Sequence, residues 1–236
     1  MAGEKAGGEE PPQDNWLSRR LGRLVALSRA FPLAALALAF AAGVIFWGGF
    51  NWTLELANTE SFCISCHVMR ENIYKDFRKT VHFANRTGVR ATCPDCHVPR
   101  KWSRKVARKV AATNELFHWL AGTIDSPEKF AARRPALARH VWRNMEKSNS
   151  RECRNCHDLA SMAAARQKPM ASRVHGLARG WNLTCIKCHQ GIAHILPESF
   201  DKDAVLDDLH ARIEKEKIKC WTCHKGMARA PEDRDQ

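Results

Sequence analysis

Tyrosine occurs once in this chain of 236 residues, and no cysteine stands outside a repeated motif. No charged residue falls between Arg29 and Glu55, and that apolar run has no counterpart elsewhere in the chain. No stretch alternates apolar and polar residues long enough to make a convincing strand. These absences exclude a multi-span membrane protein and a sheet-built fold. The apolar share, 44%, is slightly under the usual globular range, too thin in aliphatics for a large conventional core. What is present instead is ten cysteines beside eleven histidines, and a net charge of +13 from 38 basic and 25 acidic residues.

All ten cysteines belong to one pattern, Cys-x-x-Cys-His. It occurs at Cys63, Cys66 and His67; Cys93, Cys96 and His97; Cys153, Cys156 and His157; Cys185, Cys188 and His189; and Cys220, Cys223 and His224. Two thiols one short turn apart can add to the two vinyl groups of one haem, and the following imidazole can then reach the iron. Zinc sites do not require a histidine directly after every second cysteine, and disulfides would leave the histidines unexplained. Five motifs therefore predict five covalently bound haem c groups.

Covalent haem attachment takes place outside the cytoplasm, so the motifs must be exported. The apolar run is long enough to cross a bilayer, which takes about 20 residues. Arg19, Arg20, Arg23 and Arg29 precede it, and Glu55 and Glu60 follow. The positive-inside rule keeps the N-terminus in the cytoplasm and sends the remainder to the periplasm, as a single-pass protein of the inner membrane. Trp47 and Trp52 fall where an interfacial aromatic belt is expected. A cleaved signal peptide is the alternative, but the run exceeds an ordinary signal h-region. The expected layout is a cytoplasmic tail over 1–29, with 1–15 disordered, an anchor over 30–52, a four-haem domain over 53–197 and a fifth-haem extension over 198–236. Gly43, Gly48 and Gly49 permit helix association and hence an oligomer.

Most of the positive charge lies in the exported part, where arginines are expected to bind haem propionates. Arg100, Lys101, Arg104, Lys105, Arg108 and Lys109 follow a helical spacing that puts them along one side, with Trp102, Val106 and Val110 on another. The plain reading is a solvated basic face; the sharper ones are anionic lipid or an acidic partner. Nucleic acid is excluded by compartment.

The chain repeats internally. The first and third motifs are 90 residues apart and the second and fourth 92, which suggests a two-haem unit used twice with a fifth motif added. His82, His175 and His210 each precede a motif by ten or eleven residues, an arrangement that would let each reach a neighbouring haem. The run from Cys188 to His194 is echoed by that from Cys223 to Arg229. The fold class expected is mainly α, with helices over 98–122, 127–147 and 201–218, Ser126 as N-cap and Pro127 at the first helical position. The porphyrin faces are expected to form the core.

The runs around Cys63, from Gly88 to Pro99, and from Gly191 to Pro197 resemble the NapC/NirT family of membrane-anchored multihaem c-type cytochromes, over roughly residues 18–197. The resemblance implies a quinol dehydrogenase that draws on the membrane quinol pool and feeds a periplasmic reductase in anaerobic respiration. Nitrate reductase is the favoured partner, with trimethylamine oxide or nitrite reductase as alternatives. It implies that Met69, in place of His67, binds the first haem iron, and that Asp95 lies near the open face where quinol binds. Arg90, with Lys79 behind it, takes the place of the family's basic residue there. It also implies distal iron ligands at His82, His175 and His194, to which the internal spacing adds His210. His67, His97, His157, His189 and His224 are the proximal candidates, and the choice between His67 and Met69 stays open. His118 and His140 are read as surface or packing residues. The competing functions are a terminal multihaem reductase acting on a small nitrogen or sulfur oxide and, more weakly, a membrane redox sensor.

Overall fold

A computed structural model describes residues 16–227. The chain divides into two compact units, residues 1–56 and 57–236. The described residues contain helices and turns and no strand, as expected.

The first unit holds two helices. Helix α1 runs Trp16–Ala30 and α2 runs Pro32–Leu56. Phe31 between them is not helical. Proline at the first position of α2 disfavours the helical conformation for the residue before it, while its own missing N–H costs nothing there. The Phe31 carbonyl accepts the first bond of α2, from Ala35 N. At 1.5 Å per residue, the 25 residues of α2 extend about 37 Å, enough for a bilayer core. It is the one described helix long and apolar enough to cross a membrane. Asn51 and Thr53 donate their side chains back to the carbonyls of Trp47 and Gly49, which pairs polar groups within the helix near the end of the span. The expected cytoplasmic tail over 1–29 overlaps α1. Residues 16–30 form a helix; residues 1–15, expected to be disordered, lie outside the described residues, as does Arg229.

In the second unit the motif-bearing turns are short. They are α3 Glu60–Cys63, α5 Cys93–His97, α8 Arg151–Arg154, α10 Cys185–Cys188 and a 3-10 turn at Cys220–Thr222. A π-helical turn at Met69–Tyr74 and α4 Lys75–Phe77 follow the first motif. The longer helices are α6 Trp102–Leu120, α7 Pro127–Lys147, α9 Pro169–Gly180 and α11 Asp203–Lys215. Helix α7 begins as its sequence dictates: Ser126 is extended, its hydroxyl accepts from Lys129 N, and Pro127 follows.

Few apolar residues are fully covered. In this unit they are Val68, Phe77, Phe130 and Ile186. Helix α6 departs from expectation: Val110 and Trp102 are exposed, whereas Lys105, Arg108 and Lys109 are half-buried. The reason is that these basic chains find oxygen partners. Lys109 Nζ donates to the Ala57 carbonyl at 2.5 Å and Arg108 pairs with Glu115 at 2.8 Å.

Candidate haem sites

Four pairs of imidazoles meet in the folded chain. His97 faces His194 with ring centres 6.2 Å apart, His157 faces His82 at 6.1 Å, His189 faces His175 at 5.8 Å and His224 faces His210 at 6.1 Å. The Nε2 atoms of His175 and His189 are 3.5 Å apart. One metal ion between two imidazoles, each bound at about 2 Å, needs nitrogens about 4 Å apart and ring centres about 6 Å apart. The four pairs fit an iron between each.

Each pair joins a motif histidine to a histidine outside the motifs. Only His82 reaches past the motif that follows it. His175 and His210 meet the histidines of their own motifs, which corrects the expectation that upstream histidines serve neighbouring haems. The second motif pairs with His194 from beyond the fourth.

The last two pairs have the same construction. Helix α9 carries His175 and ends before Asn182, which takes a positive φ of 53°; the motif starts three residues later. Helix α11 carries His210 and ends before Lys217, with φ 55°; its motif also starts three residues later. Leu183 N bonds the Ala178 carbonyl, and Ile218 N bonds the Ile213 carbonyl at the equivalent place. The left-handed residue turns the chain back so that the motif faces the helix it has just left. The extension packs against the fourth motif, where Lys187 pairs with Asp208 at 3.2 Å and Arg212 covers Trp181 at 5.0 Å.

His194 is held by a clasp that the sequence did not reveal. Asp76, buried in α4, receives Arg134 from α7 at 2.5 Å and the backbone N–H of Ile195 at 3.2 Å, while Arg134 also donates to the Ile195 carbonyl. Gly191 starts the loop with φ 77°, and a Cβ there would meet Leu196 Cγ at 2.7 Å. The loop can close over its own leucine only with glycine at this position.

Burial pulls His97 down to about 4, and burial also lowers His189 and His194. All three are thus neutral at ordinary pH, the form that binds a metal. His82 Nδ1 is buried without a partner among the described residues. The thiols lie in series. Cys63 and Cys93 hydrogen-bond each other, which lowers Cys63 to about 7 and pushes Cys93 well up. Burial raises Cys96 to about 11, with Cys153 and Cys156 near enough to add to it. Ser150, wholly buried, accepts from Ile186 N at 3.1 Å and so ties the third motif to the fourth.

The first motif differs. Among the described residues no second imidazole faces His67, whose Nε2 donates to the Asp125 carbonyl at 3.1 Å. Met69 is exposed at the start of the π-helical turn. Among the candidate quinol-site residues, Asp95 Oδ2 accepts from Thr92 N at 2.9 Å and Thr92 Oγ1 at 2.6 Å, closing a capping box on α5. Arg90 pairs with Glu60 at 2.5 Å and lies 4.2 Å over the Phe83 ring; Lys79 is exposed. Among the described residues no hydrogen bond or ion pair joins Asp95, Arg90 and Lys79 to one another. Sequence reasoning missed Glu60, whose negative charge lies near both Cys63 and Cys93 and opposes ionisation of each, though for Cys63 the hydrogen bond with Cys93 outweighs it. Its place three residues before the first cysteine was the available signal. Away from the pairs, His118 Nδ1 is 3.2 Å from Thr123 Oγ1 and His140 Nε2 is 2.9 Å from Asn144 Nδ2.

Residues 26–199 match the family described as NapC/NirT cytochrome c family, N-terminal region. The chain is 59% identical over 162 residues to the denitrification system component NirT of Stutzerimonas stutzeri, covering 69% of this chain and 81% of that protein. It is 50% identical over 163 residues to the cytochrome c-type protein NapC of Escherichia coli K12, covering 69% and 82%. It is 43% identical over 146 residues to the cytochrome c-type protein TorC of the same organism, covering 61% of this chain and 37% of that protein. No solved structure matches. The match ends before the fifth motif.

Proposed function

The chain belongs to the NapC/NirT cytochrome c family of electron-transfer cytochromes, and on that premise we propose that it is a quinol dehydrogenase, anchored by α2, that serves a periplasmic reductase through five c-type haems. The haem c groups supply one-electron iron couples. The carrying observation is the contrast between four imidazole pairs and one motif histidine, His67, with no second imidazole.

In this reading the ten motif cysteines hold the haems as thioethers. The pairs His97 with His194, His157 with His82, His189 with His175 and His224 with His210 would hold the iron of four of them. Bis-imidazole binding closes those sites to small molecules and suits them to electron relay. The first site takes Met69 or His67 and leaves a face accessible. Quinol oxidised there would give up two electrons, one at a time, to the haem chain and two protons, one taken by Asp95 as general base and the other released to solvent at the exposed face. Arg90, oriented by Glu60 and Phe83, and the exposed Lys79 supply positive charge to the same region of the chain. With haem bound, the first motif would be the entry for electrons and the fourth and fifth the exit toward the partner. N-terminus in and haem domain out follows from the arginines ahead of α2.

The acceptor proposed is nitrate reductase; similarity to a denitrification system component makes nitrite reductase the second acceptor to test. The experiment is reduction by a quinol analogue in proteoliposomes. Asp95→Asn should slow that reduction at least about tenfold, a typical general-base effect being 10² or more, and leave reduction by dithionite intact. Equal quinol-driven rates would sink the quinol site.

A further inference from the structure

We propose that α1 is an interfacial helix seated among anionic lipid headgroups of the leaflet at the N-terminal end of α2; this rests on the reading of α2 as a membrane anchor. At 3.6 residues per turn, Leu17, Leu21, Leu24 and Val25 fall within an arc of about 100°, and Arg19, Arg20 and Arg23 fall within another of about 100° on the far side. The apolar face is bare: Leu21 is 56% and Leu24 65% exposed. The segment Trp16–Ala30 contains no acidic residue. Trp16, 64% exposed, falls within the basic arc and stacks with Arg20 at 5.4 Å.

A bare apolar face on a short basic helix needs an occupant, and the chain supplies one. Only Phe31 separates α1 from a helix long enough to span a bilayer, so α1 is delivered to a membrane surface by covalent continuity. The break at Phe31, forced by Pro32, frees α1 from continuing the line of α2. Seated in the headgroup layer, the leucines meet the acyl boundary and the arginines meet lipid phosphates. Anionic lipid is favoured over zwitterionic because each arginine near a negative surface strengthens binding about fivefold.

The test is amide hydrogen exchange of residues 16–26 in the full-length haem-loaded protein, in nanodiscs of phosphatidylcholine with and without phosphatidylglycerol. Exchange should slow at least about tenfold when phosphatidylglycerol is present, given three arginines acting together. Leu21→Gln with Leu24→Gln, and separately Arg19→Gln with Arg20→Gln and Arg23→Gln, should each remove that protection without changing haem content. Equal exchange in the two membranes, or variants protected like the parent, would overturn the proposal. Alkaline carbonate extraction separates the premise: a chain that washes off the membrane refutes the anchor as well, whereas one that stays while residues 16–26 exchange freely refutes the interfacial helix alone.

Discussion

Arg134 reaches back 58 residues along the chain to hold the buried carboxylate of Asp76, and the same guanidinium grips the carbonyl beside His194. The clasp joins three distant segments at the point where one imidazole must be aimed. Arg134→Met removes the cation and leaves Asp76 buried without its partner. The midpoint of chemical unfolding should fall by the equivalent of about 3 kcal/mol. One low-spin haem should become partly high-spin in the electron paramagnetic resonance spectrum, while the others stay unchanged.

The ring angles give a second expectation. The His82 and His157 planes cross at 78°, whereas those of His210 and His224 lie within 19°. Crossed planes leave two iron d orbitals nearly degenerate and produce a highly anisotropic low-spin signal; near-parallel planes split them and give a rhombic one. His82→Ala should delete an anisotropic signal, and His210→Ala a rhombic one. Loss of the same signal in both variants would contradict the pairing.

How much of this was legible in the sequence differs from residue to residue. Ser126 and Pro127 announced the start of α7 because capping is local chemistry. The equal spacing of His175 and His210 from their motifs was visible for the same reason. The partners of His82 and His194 were not, since contacts across 75 and 97 residues leave no local pattern. The face of α6 was misread because periodicity separates basic from apolar residues without saying which side the fold covers. There the Ala57 carbonyl draws Lys109 inward, while Arg100, Lys101 and Arg104 stay exposed.

Asp95 has a structural duty that can be separated from a catalytic one. Thr92→Val removes the hydroxyl from the cap of α5 and should cost about 1 kcal/mol of stability, with little effect on quinol oxidation. Asp95→Asn retains an oxygen acceptor for the cap but no longer takes a proton. Measuring unfolding and quinol-driven reduction on both variants tells the two duties apart. A rate loss in Thr92→Val equal to that in Asp95→Asn would mean that geometry, not basicity, matters.

The extension offers a count. Mass spectrometry with pyridine haemochrome assay should find five haems per chain, and four after Cys220→Ser with Cys223→Ser. The remaining spectrum should be that of the parent minus its contribution from the His210 and His224 pair. Four haems in the parent chain would remove the fifth site.

The crossed partnership of His97 with His194 bears on how the protein is born. A chain that emerges N-terminus first presents the second motif long before it presents residue 194. At roughly 5–20 residues per second, the 97 residues between the two histidines take about 5–20 seconds to appear. Through that interval the second attachment site has one imidazole and an unfilled side, open to stray ligands and to oxygen. The sites at 175–189 and 210–224 are complete almost as soon as they emerge. The second site is therefore completed out of chain order, only after the fourth motif has emerged, and a chaperone that shields it during export would act in that window.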